Sequence, residues 1–208
     1  MKKKLIILFF LLVPIANLLF YSCDCDVEQF VNYSHKALFL KNLDNSGEYA
    51  IESESLHLNK NAYGIRLYLQ IEEEGIVAPT TQTNSIFVQS ANATSLEPCP
   101  YVYQAVDSIV SIQVFTINDF DHLHTANSEI TEYFKVAQTY LSVENYVTNL
   151  THTQTLRDDG LLIHYGKIEI DLMLFTTPTI NNTHQFKVQV KLSDGRVFEE
   201  QTTEIELL

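Results

Sequence analysis

The sequence predicts an all-β protein, an immunoglobulin-like antiparallel β-sandwich with one short helix in a connection. Three observations support this class. Apolar and polar residues alternate along several segments, turn residues separate those segments, and one stretch has the apolar spacing of a helix. The chain contains no Trp, so the Cys-Trp-Cys hallmark of true immunoglobulin domains is missing.

Alternation marks the predicted strands in chain order. A weak strand is predicted over Lys36–Leu43, and Ile and Leu alternate with polar residues in a half-buried strand over Ile65–Ile71. Between Ser108 and Ile117 both faces are largely apolar, which predicts a central strand buried on both sides. Alternation returns over Ile168–Leu174 and again over Phe186–Leu192.

One segment has helical rather than alternating spacing, and its apolar members are Ile130, Tyr133, Phe134, Ala137 and Leu141. Ser128 precedes the segment and is a good N-cap, because its side-chain oxygen can accept a bond from the first free N–H groups. Glu129 and Glu132 fall in the first turn, where the helix dipole favours negative charge. The pattern therefore predicts a helix that starts after Ser128.

The C-terminus is predicted to form a hairpin. The turn sequence Ser193–Arg196 separates the strand ending at Leu192 from a second strand over Val197–Leu207. Thr176–His184, which contains Pro and Asn residues, is predicted to be the loop before this hairpin.

The N-terminus has the pattern of an export signal. Lys2–Lys4 precede an apolar run over Leu5–Tyr21, and Cys23 comes next after one serine. This arrangement resembles the lipobox of bacterial lipoproteins, which implies that residues 1–22 are a signal peptide and that Cys23 is the first, lipidated residue. A plain cleaved signal and a retained anchor are the alternatives, but a membrane span needs about 20 apolar residues and this run is shorter.

Removal of this leader leaves residues 23–208, which are expected to form a single β-sandwich domain. The whole chain has a net charge of −13, and the leader contributes three Lys and no acidic residue. The mature net charge is therefore about −16. An acidic surface repels phosphate backbones, so nucleic acid is not an expected partner. Membrane attachment is expected to come from the N-terminal lipid rather than from basic patches.

The three cysteines are Cys23, Cys25 and Cys99, an odd number for an exported protein. Lipidation of Cys23 would leave an even pair, and a disulfide between Cys25 and Cys99 would join the N-terminal tether to the domain. In the chain-entropy model, a disulfide that closes a loop of about 75 residues contributes up to roughly 4 kcal/mol to stability. Two free thiols are the alternative.

The leader KKKLIILFFLLVPIANLLFYSC and the closing segment HQFKVQVKLSDGRVFEEQTTEIEL resemble those of small, uncharacterised lipoproteins of Bacteroidota with a β-rich body. This resemblance implies a location in the cell envelope, with the protein exported and anchored in the outer membrane. It implies no reaction, and no functional residue carries over from it.

The segment INDFDHLH contains the residues that most resemble metal ligands, namely Asp119, Asp121, His122 and His124. In an extended segment the two histidines would share a face, but a zinc-like ion needs three or four converging ligands. Nothing at comparable spacing completes the set, so a solvated loop without a metal is expected. The chain also has no G-x-S-x-G motif and no cofactor signature, so neither catalysis nor a cofactor is expected.

Function is therefore expected to fall to exposed loops. Tyr101 and Tyr103, in the segment Pro98–Tyr103, are candidates for an aromatic platform that binds sugar or peptide, with edge or core packing as the alternative. Thr176–His184 is the second candidate loop. The sequence predicts a lipid-anchored binding or structural module with an unknown protein or glycan partner. A small envelope hydrolase, with a site assembled from distant residues, is the alternative.

Overall fold

The computed structural model describes residues 29–77, 101–137, 139–153, 155–157, 163–164 and 166–208. These residues form antiparallel sheets that pack together, so the predicted all-β sandwich with one helix in a connection is confirmed. In chain order the elements are β1 (Gln29–Asp44), β2 (Ile51–Glu52), β3 (His57–Leu58), β4 (Tyr63–Val77), β5 (Tyr101–Ala105), β6 (Ile109–Thr116), a 3-10 turn (Thr131–Tyr133), β7 (Phe134–Val136), α1 (Val143–Thr153), β8 (Thr155–Arg157), β9 (Ile163–His164), β10 (Lys167–Leu174), β11 (Thr183–His184), β12 (Phe186–Leu192), β13 (Val197–Gln201) and β14 (Ile205–Leu207).

The largest sheet has the strand order β7-β10-β4-β1-β5-β8, with β2 beside β1 and β9 beside β10. Its centre is the long antiparallel pair β1 and β4, and β1 pairs with β5 in parallel. The two smaller sheets have the orders β13-β12-β6 and β11-β14-β3. Side chains from all three sheets and from α1 meet in one hydrophobic core.

The alternation in β4 and β10 determines which side chains enter the core. Ile65, Leu67 and Leu69 of β4 are fully buried, while Arg66 and Tyr68 on the other face are only partly buried. A strand places successive side chains on opposite faces, so one β4 face packs in the core and the other remains for polar contacts. The predicted strands over Ile65–Ile71 and Ile168–Leu174 are confirmed, and β4 extends beyond its prediction at both ends.

The strand predicted between Ser108 and Ile117 is confirmed as β6, but its predicted burial on both faces is wrong. In β6 Ile112 and Val114 are buried and Val110 is half-exposed, so only one face enters the core. Among the described strands β6 pairs only with β12. On the outer face of β6, Phe115 makes a cation–π contact, with the Lys187 ammonium group 5.0 Å from the ring centroid.

The predicted helix after Ser128 is also wrong. The chain there forms a short 3-10 turn and then β7, which pairs with the edge of β10. Phe134 and Val136 are both buried, which is strand alternation, and pairing with β10 outweighs the weak local helix preference. The helix α1 begins after Ser142, whose Oγ accepts a bond from Asn145 N at 3.3 Å as an N-cap does. No helix of the described chain could cross a membrane.

The C-terminal hairpin is confirmed for β12 and β13, but the predicted second strand over Val197–Leu207 is divided. After Gln201 the chain leaves this sheet, and β14 pairs with β11 and β3 in another sheet. Buried Thr202 makes the change of direction. Its backbone N–H donates to Phe186 O at 2.8 Å, and its Oγ1 accepts from Phe186 N at 3.1 Å.

Candidate functional site

A groove with aromatic walls opens where β4 and β10 meet the β1–β2 loop and the turn after β7. It consists of two depressions of about 400 and 260 Å³ that share Asn45, Met173 and Phe175. We call it the aromatic groove. Further lining residues of the larger depression are Glu48, Tyr49, Ala50, Arg66, Ala137, Tyr140 and Asp171. The volume of the larger depression, about 400 Å³, is in the range of sites for small organic ligands.

Three aromatic rings in the aromatic groove face solvent. Tyr49 is 74% exposed, Tyr140 67% and Phe175 52%. Tyr140 and Phe175 form an edge-to-face pair with ring centroids 6.2 Å apart, and the Lys135 ammonium group lies 4.9 Å from the Phe175 centroid. The Lys135 ammonium group lies over one face of the Phe175 ring, while 67% of the Tyr140 surface and 52% of the Phe175 surface remain exposed. The rings are therefore available to a ligand.

The backbone at Tyr140 is in the left-handed region, with φ of 54°. This conformation is strained for an aromatic residue by about 1–2 kcal/mol. The turn is closed by a hydrogen bond from Tyr140 N to Val136 O at 2.8 Å, and the Val136 N–H donates in turn to Leu141 O at 3.1 Å. Strain of this kind is concentrated at binding sites, where the surrounding structure maintains it.

An ion pair forms the polar wall of the aromatic groove. Arg66 Nε and Nη2 donate to the two carboxylate oxygens of Asp171 at 2.7 and 2.8 Å. The bond to Asp171 raises the pKa of Arg66 above its usual value. Arg66 Nη1 lies 3.6 Å from Glu52 and 4.0 Å from Glu169. The fork geometry fixes the guanidinium plane and leaves the pair close to neutral.

Gly64 allows Met173 to line the aromatic groove. A Cβ atom at residue 64 would lie 2.7 Å from Met173 Sδ and 2.9 Å from Leu172 O, closer than real Cβ contacts. We expect Gly64→Ala to lower the free energy of unfolding by about 1–3 kcal/mol, as overpacking does. Urea denaturation measures this. Gly47→Ala is the control, because its nearest atom is Tyr49 O at 3.9 Å. Equal stability of the two variants would contradict the prediction.

A second groove of about 630 Å³ lies between β6 and α1. Its described lining has no aromatic ring and consists of Val110, Ser111, Ile112, Gln113, Glu129, Thr131, Glu132, Ser142, Val143, Glu144, Val147, Thr148 and Lys191. One of its carboxylates is already engaged, since Glu129 accepts bonds from Gln113 at 3.1 Å and from Thr131 at 2.8 Å. This groove is larger than either depression of the aromatic groove, but its described lining presents no ring on which a ligand could stack.

Tyr103 and Tyr101 lie in a strand, so their predicted placement in a binding loop is wrong. Both belong to β5, which pairs with β1. The Tyr103 ring lies 6.5 Å from that of Tyr33, and its hydroxyl lies 3.4 Å from Glu73 Oε1. Tyr103 therefore packs against neighbouring side chains of the sheet, which is the alternative to a binding platform that the sequence analysis gave. The side chain of Tyr101 lies outside the described residues. The other predicted loop, Thr176–His184, ends in the short strand β11, and its Thr177 lines the smaller depression of the aromatic groove.

The INDFDHLH segment forms a structured loop. Asp121 Oδ1 accepts bonds from the N–H groups of Leu123 and His124, both at 2.8 Å, and from His124 Nδ1 at 2.9 Å. Burial raises the pKa of Asp121, but the bonds from His124 and Leu123 outweigh it and lower that pKa to about 2. Asp119 Oδ1 accepts from Ala126 N at 2.8 Å. The acidic residues therefore cap the loop backbone. Within the described chain no three His, Cys, Asp or Glu residues converge on a metal position.

A buried cluster joins β1, the β5–β6 connection and the β12–β13 turn. His35 Nδ1 donates to Asp107 O at 2.9 Å and Oδ1 at 3.0 Å, and His35 N bonds both carboxylate oxygens at 3.1 Å. Arg196 pairs with the Asp107 carboxylate and donates to His35 O at 2.9 Å. His35 and Asp107 are 1% and 3% exposed, and His35 Nε2 has no hydrogen-bond partner among the described atoms. Neither residue lines the two grooves. The cluster is a structural cross-link.

His184 is fully buried between Phe120 and Phe186, with ring centroids 5.6 and 5.9 Å away. Its Nε2 bonds Asn181 O at 2.7 Å, and Nδ1 has no partner in the described chain. Because a carbonyl only accepts, Nε2 carries the proton of the neutral ring. Burial lowers the pKa of His184, and the Asn181 bond opposes this only partly.

This environment predicts a pH dependence. Below about pH 6.5 the unfolded state binds a proton that folded His184 does not, so its contribution to stability is complete above that pH and is lost as pH falls. We expect His184→Gln to flatten the fall in unfolding free energy between about pH 6.5 and 5 relative to the unmodified protein. Urea denaturation across this range measures it. His122→Gln, at an exposed site, is the control. A profile of the same slope in the His184 variant would contradict the prediction.

The sequence analysis did not identify the aromatic groove. Tyr49, Tyr140 and Phe175 are far apart in sequence, and Tyr140 lies within the segment that is predicted to be helical. The one available signal is an aromatic residue in a turn sequence, as at Tyr49 after Ser46 and Gly47. The export signal, Cys23, Cys25 and Cys99 all lie outside the described residues, so lipidation and the disulfide remain predictions.

Comparison with known proteins places the chain in a family. A family model described as a domain of unknown function, DUF5034, matches residues 35–203. Neither a curated protein nor a solved structure matches the chain. The match extends from the middle of β1 to the connection between β13 and β14 and includes every described element that forms the aromatic groove. The chain therefore belongs to the DUF5034 family.

Proposed function

We propose that the protein is a lipid-anchored binding module of the cell envelope and that it binds its partner, without catalysis, in the aromatic groove. The observation that carries the proposal is the convergence of Tyr49, Tyr140 and Phe175, all more than half exposed, on one concave site. Single exposed apolar side chains are common on protein surfaces, but several exposed rings gathered in one concave patch are typical of an interaction site. The strained backbone at Tyr140 supports the same conclusion.

The proposed anchor rests on the leader. The sequence places three lysines, an apolar run and Cys23 in the order of a lipoprotein signal. The resemblance to Bacteroidota lipoproteins supports the outer membrane as the location. The acidic charge of the chain disfavours direct contact with anionic lipids, so the lipid would hold the protein at the membrane.

Lipidation is testable in cells. We expect Cys23→Ala to abolish metabolic labelling of the protein by a clickable palmitate analogue, because Cys23 provides the only thiol at the proposed cleavage site. In-gel fluorescence of the full chain, expressed in a bacterium with lipoprotein maturation, measures the label. Cys25→Ala is the matched control and should keep it. Equal labelling of Cys23→Ala and the unmodified chain would overturn the proposed anchor.

Binding without catalysis is tested on the purified full chain. Ester, peptide and glycoside substrates should show no turnover above that of buffer. Tyr140→Ala should weaken binding of the partner without loss of fold, since the side chain is two-thirds exposed. Turnover that disappears on substitution of a single His, Asp or Glu, while the circular dichroism spectrum and melting temperature are unchanged, would overturn the proposal and favour the hydrolase.

A further inference from the structure

The aromatic groove has room for two ring-sized groups. Its depressions of about 400 and 260 Å³ share Asn45, Met173 and Phe175, so Phe175 stands between them. The larger one has Tyr49 and Tyr140 on its walls, and the smaller one has Asn61 and Thr177. An elongated ligand with a repeating ring would place one unit on each side of Phe175.

The aromatic walls select the kind of ring. The exposed faces of Tyr140 and Phe175 present negative π density at the edge of a wet groove. A pyranose ring offers a face of polarised C–H groups to such a surface and keeps its hydroxyl groups at the rim, where water or protein can bond them. The nearly perpendicular Tyr140 and Phe175 rings, at 86°, form a corner against which one sugar face and one edge can pack.

The polar groups of the groove suit hydroxyls and disfavour anions. The charges of Arg66 and Asp171 compensate each other in a bidentate pair. Glu48 adds a negative charge to the lining, the Lys135 ammonium group on Phe175 offsets it, and the whole chain has a net charge of −13. The amides of Asn45 and Asn61 supply both donors and acceptors. Uronates and phosphorylated ligands would meet repulsion here, whereas neutral hydroxyl groups would not.

We infer that the aromatic groove binds an uncharged oligosaccharide, with one sugar ring stacked on Tyr140 and Phe175 and its hydroxyls bonded by the Arg66–Asp171 pair. This inference rests on the proposed binding function. A second sugar unit occupies the smaller depression beside Asn61. Disaccharides therefore bind more tightly than the corresponding monosaccharides.

A tryptophan reporter tests the inference directly. The chain has no Trp, so Phe175→Trp introduces a single indole into the groove. Neutral gluco-, manno-, xylo- and galacto-oligosaccharides are titrated against the full-length variant, and at least one series should shift its emission. The same sugar is then titrated calorimetrically against the unmodified protein, where Tyr140→Ala and Phe175→Ala should each weaken binding by about tenfold.

Leu123→Ala is the matched control, because Leu123 is an apolar side chain, 85% exposed, that does not line the groove. If no neutral oligosaccharide binds but an acidic glycan or a peptide does, and Tyr140→Ala weakens it, the inference is overturned while the proposed function stands. Equal affinity for the sugar in Tyr140→Ala, Phe175→Ala and Leu123→Ala overturns both.

Discussion

Asp107→Ala is expected to lower the free energy of unfolding by about 3–5 kcal/mol, the range for removal of one partner from a buried charged network. Asp107 is 3% exposed and accepts bonds from the backbone N–H and ring of His35 and from Arg196. Alanine leaves the His35 N–H without its acceptor in a site that water does not reach. The variant also removes the carboxylate that bridges His35 and Arg196, although the bond from Arg196 to His35 O at 2.9 Å remains.

Guanidinium denaturation at pH 7 measures this change. Asp194→Ala is the control on the same arginine, since Asp194 bonds Arg196 at 2.6 Å but is 41% exposed. Exposed pairs contribute about 0–1 kcal/mol. A loss below about 1 kcal/mol in Asp107→Ala would show that the cluster does not hold the sheets together.

Phe186→Ala is expected to cost about 3–5 kcal/mol of unfolding free energy, as does loss of a large aromatic ring from a well-packed core. The Phe186 ring is fully buried and stacks on Tyr63 with centroids 5.3 Å apart. It also contacts the rings of Phe120 and Phe134 at 6.5 and 5.9 Å. Because three elements meet at this ring, the cavity cannot close without moving strands.

Phe115→Ala is the matched control for Phe186→Ala. Phe115 lies in β6, paired with β12, but on the outer face of the sheet, where it is half-buried under Lys187. Its truncation should cost much less than that of Phe186, and thermal unfolding followed by circular dichroism compares the two. Similar losses from the two variants would mean that Phe186 is not at the centre of the core.

The sequence by itself determined the strands whose alternation is strong. Ile65–Ile71, Ile168–Leu174 and Phe186–Leu192 are strands in the structure because a period of two, held over several residues, suits only an extended chain with one buried face. The turn after Leu192 was also determined by the local sequence, because Asp194 and Gly195 favour a turn in any context.

Tertiary contacts decided the segments with weak local patterns. Helical spacing after Ser128 was outweighed by the pairing of Phe134–Val136 with β10, and the apolar outer face of β6 gave no sign that Lys187 would cover Phe115. α1 was missed, although Val143, Val147 and Leu150 have helical spacing after Ser142. Propensity differences of a few tenths of a kcal/mol per residue are small beside the burial of one large side chain.

The aromatic groove was decided by tertiary structure alone. Tyr49, Tyr140 and Phe175 belong to three connections that the large sheet brings to one end, and no spacing in the sequence relates them. The Arg66–Asp171 pair likewise depends on the register of β4 against β10, in which these two residues are direct partners. Residues distant in sequence become neighbours through strand pairing, which a single sequence pattern does not encode. The leader, in contrast, was predicted from the sequence alone, because its pattern of three lysines followed by an apolar run is a property of the local sequence.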